Sequence, residues 1–268
     1  MKGQRPSDET GIYRYKFDVP KSWAGQRVKI FFDGVMTDAE IIINGKPAGE
    51  LHQGGFYRFS YDITELLNLG KKNQLEVKVA KESANRSINA AERKADWWLF
   101  GGIYRPVWLE VLPQIHMKHF VLSADHKGKF QASIDMEGDA KGHEIVVSVR
   151  SLKDGKTVYT SNGQTTITHP INNSGKEQMI SGEWTNIVPW STEAPNLYVV
   201  KLELKNPEGK IVQTRETRIG FRTVEFFPQD GVYLNGTKLV IKGINRHSFS
   251  VDGGRTTNAA LSLSLIHI

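Results

Sequence analysis

Apolar and polar residues alternate along much of this chain with a period of two. The alternation is regular at residues 13–19, and a related pattern covers residues 56–62. This period is typical of a β-strand that buries one face, whereas a helix repeats its apolar positions every three to four residues. Shorter β-branched and aromatic runs lie at residues 28–32, 40–43, 75–79 and 107–111. Short runs of this kind, separated by turn residues, predict an antiparallel β-sandwich over the first part of the chain.

A second set of strand-like runs begins after Pro113, which we interpret as a domain boundary. About seven short strands in roughly a hundred residues are typical of an immunoglobulin-like sandwich. Residues 161–182 are rich in Asn, Ser, Gly and Thr, and we interpret them as a surface loop or an irregular edge strand. The strand-like runs of this block lie at residues 130–134, 144–149, 157–159, 197–204 and 214–220.

Two Asn-Gly pairs, at residues 44–45 and 235–236, interrupt apolar runs. Asn-Gly supplies the positive φ angles that a tight β-hairpin turn requires, so each pair predicts a hairpin. The run after the second pair, residues 239–241, is predicted to be a strand that ends in Asn245, Arg246 and His247. These three polar side chains can hold a hydroxyl group or an anion. The strand therefore delivers a candidate binding cluster.

Composition excludes several classes of function. The chain has 268 residues, of which 39% are hydrophobic and 10% aromatic, so intrinsic disorder is a poor description. The net charge is +6, but no run of five basic residues occurs, and we expect no nucleic-acid partner. The absence of cysteine excludes disulfides, thiolate catalysis and cysteine-ligated metals. No apolar run approaches the ~20 residues that span a bilayer, so no membrane partner is expected. The first ten residues contain no apolar signal-peptide core, and the compartment stays unassigned.

Four separated motifs resemble glycoside hydrolase family 2, which contains β-galactosidases, β-glucuronidases and β-mannosidases. The first motif is Ile-Asn-Gly-Lys at 43–46, continued by Tyr-Asp-Ile-Thr at 61–64. The second is Asp-Trp-Trp-Leu-Phe-Gly-Gly-Ile-Tyr-Arg-Pro-Val at 96–107. The third lies at 190–198 and is followed by Gly-Phe-Arg at 220–222, and the fourth is the hairpin and polar cluster at 232–247. Their order and spacing are those of the family.

The resemblance implies an all-β fold made of a jelly-roll sugar-binding sandwich and an immunoglobulin-like β-sandwich. These domains are expected at residues 1–113, incomplete at the N-terminus, and at residues 114–222. Residues 223–268 are expected to form the truncated start of a (β/α)8 TIM barrel. Residues 263–268 read as a linker that is not native sequence.

The resemblance also implies a retaining glycosidase, in which two glutamates act through a covalent glycosyl intermediate. In the family these glutamates lie on later barrel strands, and no glutamate here falls in a matching motif. We therefore expect no catalytic residue in this chain and no activity from it alone. β-Galactosidase is the leading activity; β-glucuronidase and β-mannosidase are the alternatives within the family. A non-catalytic carbohydrate-binding protein made of two β-sandwiches is the alternative from another class.

Four residues are implied as contacts to a glycoside or oligosaccharide substrate: Asp96, Asn245, Arg246 and His247. The structural alternatives are a polar strand end, with Arg246 in an ion pair, and a turn cap at Asp96. In some family members the residue that matches Asp96 also ligates sodium. No cofactor is expected here, although the full-length enzyme is open to a sodium or magnesium ion and to homo-oligomer formation.

Other features of the motifs favour structural roles. Core packing is favoured over sugar stacking for Trp97 and Trp98. Arg105 is expected to bind an interdomain carboxylate, and the Gly-Gly pair at 54–55 to shape a turn. His116 and His119 are expected in an extended connector without zinc.

Overall fold

The computed structural model describes residues 9–93, 101–172 and 175–243, together with the isolated positions 251, 253 and 260. Strands dominate these residues, as the alternating pattern predicts. The chain divides into two compact units, and the division falls between Val111 and Leu112.

The first unit contains two main sheets that enclose a core. One sheet has the strand order β1-β8-β4-β5, with β6 paired to β4; the other has the order β10-β2-β7, and β3 pairs with β9. The strands are β1 (Thr10–Asp18), β2 (Arg27–Phe32), β3 (Val35–Met36), β4 (Asp38–Ile43), β5 (Lys46–Pro47), β6 (His52–Gln53), β7 (Phe59–Asp62), β8 (Lys72–Ala80), β9 (Gly102–Ile103) and β10 (Val107–Leu112).

Alternation along the strands builds this core. In β2 every second side chain is buried, and β8 contributes Leu75, Val77 and Val79 with the same period. The core is open along β1, an edge strand on which Tyr15 is 67% exposed. An apolar groove of about 410 Å³ lies beside that strand.

Helical structure is sparse in the described part of the first unit. Two 3₁₀ turns, Lys21–Trp23 and Thr64–Leu66, join strands. One α-helix, α1 (Arg86–Arg93), follows β8. The side-chain oxygen of Asn85 accepts a hydrogen bond from the Ser87 N–H (3.0 Å) and so caps the start of the helix.

The second unit is a sandwich of two four-stranded sheets. Their orders are β11-β12-β16-β14 and β15-β13-β17-β18. Trp184 is fully buried between them and meets Phe130 edge-on, with ring centroids 6.4 Å apart. The strands are β11 (His116–Ala124), β12 (Lys129–Glu137), β13 (Glu144–Ser151), β14 (Tyr159–Thr160), β15 (Thr166–Pro170), β16 (Glu177–Thr185), β17 (Tyr198–Lys205) and β18 (Ile211–Ile219).

Two details of this sandwich differ from the sequence-based interpretation. Residues 161–182 contain the edge strand β15 and most of β16, which pairs with both β12 and β14. Strand β16 buries Gln178, Ile180 and Trp184, so it is a core strand despite its polar composition. His116 and His119 lie in β11, a nine-residue strand, and not in a connector.

The last described element is a three-stranded meander, β19 (Val224–Phe227), β20 (Gly231–Leu234) and β21 (Thr237–Leu239). Both predicted Asn-Gly turns are confirmed, because Asn44 and Asn235 each have φ 52°. Residues 240–243 form no strand, although a strand was predicted through 241. The start of a barrel at 223–268 stays a prediction.

Candidate functional site

The four predicted sugar contacts, Asp96, Asn245, Arg246 and His247, lie outside the described residues. Trp97 and Trp98 lie outside them as well. The structure does describe the residues that lead to these positions. Helix α1 precedes Asp96, and the meander precedes the polar cluster. The geometry of the candidate site is therefore that of its supports.

Helix α1 is fastened to the first sandwich at its N-terminal side. The Asn89 side chain accepts from the Ser83 N–H (2.9 Å) and donates to the Ser83 carbonyl (2.6 Å). Asp38, which is buried at the start of β4, accepts from the Ala84 N–H (2.8 Å) and from the Gln53 side chain (2.9 Å). Hydrogen bonds to a carboxylate are stronger than those between neutral groups. The entry into the helix is thus tied to the sheet that contains β4.

The end of α1 is fastened to a glycine turn. Glu92 accepts a hydrogen bond from the Gly55 N–H at 2.8 Å. The hydroxyl of Tyr104, which follows β9, donates to the carbonyl of the same Gly55. A side chain from each end of the 94–101 stretch therefore holds one peptide unit of the turn.

Both glycines are needed where they are. Gly54 has φ +115°, a conformation that side-chain-bearing residues rarely adopt. A Cβ on Gly55 would lie 2.8 Å from the Cε of Met36 and 3.3 Å from the Oε2 of Glu92. Because Met36 is 98% buried (2% exposed), it has little room to move. The expected turn-shaping role of this pair agrees with the geometry.

His52 completes the support of the turn. Its ring stacks flat on Phe59, with centroids 3.6 Å apart, and its Nε2 donates to the Gly54 carbonyl at 2.8 Å. Burial lowers the pKa of His52 below its ordinary value. The Gly54 carbonyl and the charges of Asp38 and Glu92 oppose that shift. The neutral ring with its proton on Nε2 is therefore the form that fits this site.

Arg105 has a role different from the one expected. Its guanidinium lies 3.4 Å from the Asp33 carbonyl and 3.3 Å from the Phe56 carbonyl, both in the first unit. The prediction of an interdomain carboxylate partner is not what these contacts show. The Trp108 indole N–H and then the Arg58 guanidinium hold the pKa of the Asp33 carboxyl below its usual range. Arg105 stabilises a loop of the first sandwich.

The meander is joined to the second sandwich through Asn235. The Asn235 N–H donates to the Thr223 carbonyl, and the Asn235 side chain accepts from the Thr223 N–H, each at 2.9 Å. The same side chain donates to the Trp190 carbonyl at 3.0 Å. Gly220 packs against Trp190 so closely that a Cβ would lie 2.7 Å from it. The turn residue of the hairpin is therefore also a joint to the sandwich.

Metal and membrane chemistry find no further support in the described residues. No group of three or more His, Asp or Glu among them could hold a metal ion. Asp96, for which the resemblance implies a sodium contact, lies outside that part of the chain. None of its helices is long and apolar enough to cross a membrane.

Sequence reasoning missed Glu92, Asp38 and the role of Tyr104. One local signal was available for Glu92. An acidic residue in the last turn of a helix opposes the helix dipole, so it suggests a specific hydrogen-bond donor elsewhere. Which donor this is depends on contacts between residues far apart in sequence, and no motif reveals it.

Two adjacent segments of the chain match models of one enzyme family. Residues 3–113 match the sugar binding domain of glycosyl hydrolases family 2. Residues 114–222 match a second model, described as glycosyl hydrolases family 2.

Individual relatives agree with these matches. The chain is 32% identical over 247 residues to a β-galactosidase of Thermoanaerobacter pseudethanolicus, an alignment that covers 90% of this chain and 32% of that protein. It is 29% identical over 236 residues to a putative β-glucuronidase of Formosa agariphila, covering 82% and 26% of the two chains. The crystal structure of a β-glycosidase from Bacteroides vulgatus matches with a TM-score of 0.76 and 28% identity, covering 96% of this chain and 32% of that one. The chain thus spans about a third or less of the length of these proteins.

Proposed function

The chain belongs to glycosyl hydrolase family 2, and from this premise we propose that it forms the sandwich part of a retaining β-glycosidase with β-galactosides as its leading substrates. One observation carries the choice of substrate. The 32% identity to a β-galactosidase extends over 247 residues, and so it includes both sandwiches. Family membership supports hydrolysis of glycosidic bonds; the identity of the sugar is the finer part of the proposal.

Within this function, Asp96, Asn245, Arg246 and His247 bind hydroxyl groups of the sugar. A carboxylate accepts hydrogen bonds from hydroxyls, whereas guanidinium and imidazole N–H groups donate to them. The fastened helix α1 and glycine turn support this assignment for Asp96, since a substrate contact must be held in place to contribute to catalysis. For residues 245–247 the support is the meander that leads to them and its joint at Asn235.

The two carboxylates that carry out the reaction are proposed to lie in the barrel, about 5–5.5 Å apart as retention of configuration requires. Residues 223–268 are proposed as the start of that barrel. The chain by itself should then bind sugar weakly and release no product. An assay with nitrophenyl β-galactoside tests this, and turnover at a rate typical of a complete enzyme would contradict it.

β-Glucuronidase is the second candidate, because one of the similar proteins carries that name and the Arg-Pro-Val variant of the second motif fits it. The coding sequence that follows residue 258 discriminates the classes. A continuation into a barrel with an Asn-Glu acid/base motif and a second glutamate supports the enzyme. A stop codon after Ile268 in that sequence would favour a non-catalytic carbohydrate-binding protein. The ratio of kcat/KM for galactoside and glucuronide in the extended protein then identifies the sugar.

In the extended protein, His247→Ala should lower kcat/KM by about 10²-fold, which corresponds to about 2.7 kcal/mol of lost transition-state binding. Glu40→Gln, which removes one charge of an exposed ion pair with Lys78, is the matched control and should change kcat/KM little. An unchanged kcat/KM for the His247 variant would assign that residue to structure alone.

A further inference from the structure

Gly55 receives side chains from both directions along the chain. Glu92 lies just before the stretch that contains Asp96, and Tyr104 lies just after it. Glu92 accepts from the Gly55 N–H at 2.8 Å, while the Tyr104 hydroxyl donates to the Gly55 carbonyl. The two contacts satisfy both polar groups of one residue, which itself has no side chain to interfere.

The supports of this arrangement extend beyond Gly55. His52 donates to the neighbouring Gly54 carbonyl, and its ring is fixed by stacking on Phe59. Asn89 and Asp38 fasten the other end of helix α1. An eight-residue helix that buries only Arg93 has little apolar packing to hold it, so these polar contacts determine its place.

We propose that Glu92 and Tyr104 are positioning residues that act through Gly55 as a clamp on the two ends of the stretch carrying Asp96. Fixing both ends of a loop restricts the conformations open to the residues between them. The clamp rests on the proposed function in one respect: Asp96 must contact the sugar for the restriction to matter to activity. Neither Glu92 nor Tyr104 is assigned contact with the substrate.

The structural part of the proposal can be tested on this chain without any activity. Trypsin cleaves after Lys94, and hydrogen exchange reports on peptides that cover residues 94–101. Glu92→Ala and Tyr104→Phe should each raise the rate of cleavage after Lys94 about tenfold and speed exchange in those peptides. Glu92→Gln keeps an oxygen that can accept from Gly55 and should restore most of the protection.

Two comparisons separate a local from a general effect. Glu40→Gln serves as the matched control, and peptides from β2 should exchange equally in all variants. Equal cleavage and exchange at residues 94–101 in the wild type, Glu92→Ala and Tyr104→Phe would overturn the clamp. Acceleration shared by the whole first sandwich would also overturn it, because Glu92 and Tyr104 would then act on global stability.

Activity of the extended protein separates the clamp from the proposed function. If both hold, Glu92→Ala and Asp96→Ala each lower kcat/KM, and Glu92→Gln recovers part of the loss. Local acceleration of exchange in Glu92→Ala, combined with an unchanged kcat/KM in Asp96→Ala, supports the clamp but overturns the role of Asp96. The reverse result, a loss of activity in Asp96→Ala with no local effect of Glu92→Ala, overturns the clamp alone.

Discussion

Asp96 and residues 245–247 are each reached through a short segment, and the two segments are held differently. The approach to Asp96 is fastened by side chains from β4, β6 and α1 and by Tyr104 beyond β9. The approach to residues 245–247 is a meander whose described joint to its sandwich is Asn235. Its outer surface stays exposed: Phe226 is 76% and Val240 is 77% exposed. Polar contacts position the first segment within one unit, whereas the meander presents apolar surface that its own unit does not cover.

The largest expected effect within this comparison is that of Gly54→Ala. A residue with a Cβ is strained at φ +115°, and the new methyl group would lie 2.1 Å from the Tyr57 hydroxyl. We expect a loss of about 2 kcal/mol in the free energy of unfolding of the first sandwich. Urea denaturation measures it. Gly236→Ala is the matched control for the meander: its φ of +79° is also unfavourable, but no atom lies within 4 Å of the new Cβ. An equal loss in both variants would mean that crowding contributes nothing.

The two Asn-Gly turns allow a direct test of attachment. Replacing Asn44 or Asn235 by glycine keeps the positive φ available and removes only the side-chain contacts. Asn44 bridges the Leu66 carbonyl, the Asn73 side chain and the Gln74 N–H inside the first sandwich. We expect Asn44→Gly to lower the free energy of unfolding by about 1–2 kcal/mol, because partly buried hydrogen-bonding groups lose their partners.

Asn235→Gly should behave differently. The Thr223 N–H and the Trp190 carbonyl lose a partner, but the meander can loosen while the sandwich stays folded. We expect faster hydrogen exchange at residues 224–239 with a midpoint of urea unfolding close to that of the wild type. A cooperative loss of stability as large as that of Asn44→Gly would contradict the view that Asn235 is a local joint.

The same comparison explains which parts of the molecule the sequence could predict. The Asn-Gly turns and the alternating strands follow from neighbouring residues, and the structure confirms them at Asn44 and Asn235. Helix α1 was missed because its residues are polar on nearly every side, and the cap at Asn85 was its main signal. Strand β16 was missed because Ser, Gly and Thr outweighed Ile180 and Trp184, which point into the core.

The clamp at Gly55 had no counterpart in the sequence-based reasoning. Glu92 is separated from Gly55 by β7, β8 and most of α1, and only the folded sandwich brings them together. The resemblance supplied the predicted contacts themselves, Asp96, Asn245, Arg246 and His247, and these stay predictions.

The smallest expected effect concerns pH and again distinguishes the first segment, whose turn depends on a titratable ring. Burial lowers the pKa of His52 below its ordinary value of 6.5, so the folded chain takes up a proton less readily than the unfolded chain. The stability that the neutral ring contributes is complete above about pH 6.5 and is lost as the pH falls through the lowered pKa. His52→Phe keeps an aromatic ring beside Phe59 and removes the titration. The stability difference between wild type and this variant should therefore shrink between pH 7.5 and about pH 5. Proton NMR of the ring measures the cause directly: the pKa of His52 should lie below 6.5 and rise in Phe59→Leu, which uncovers one face of the ring. A pKa at or above 6.5 in the wild type would show that charge from Asp38 and Glu92 outweighs burial at this turn.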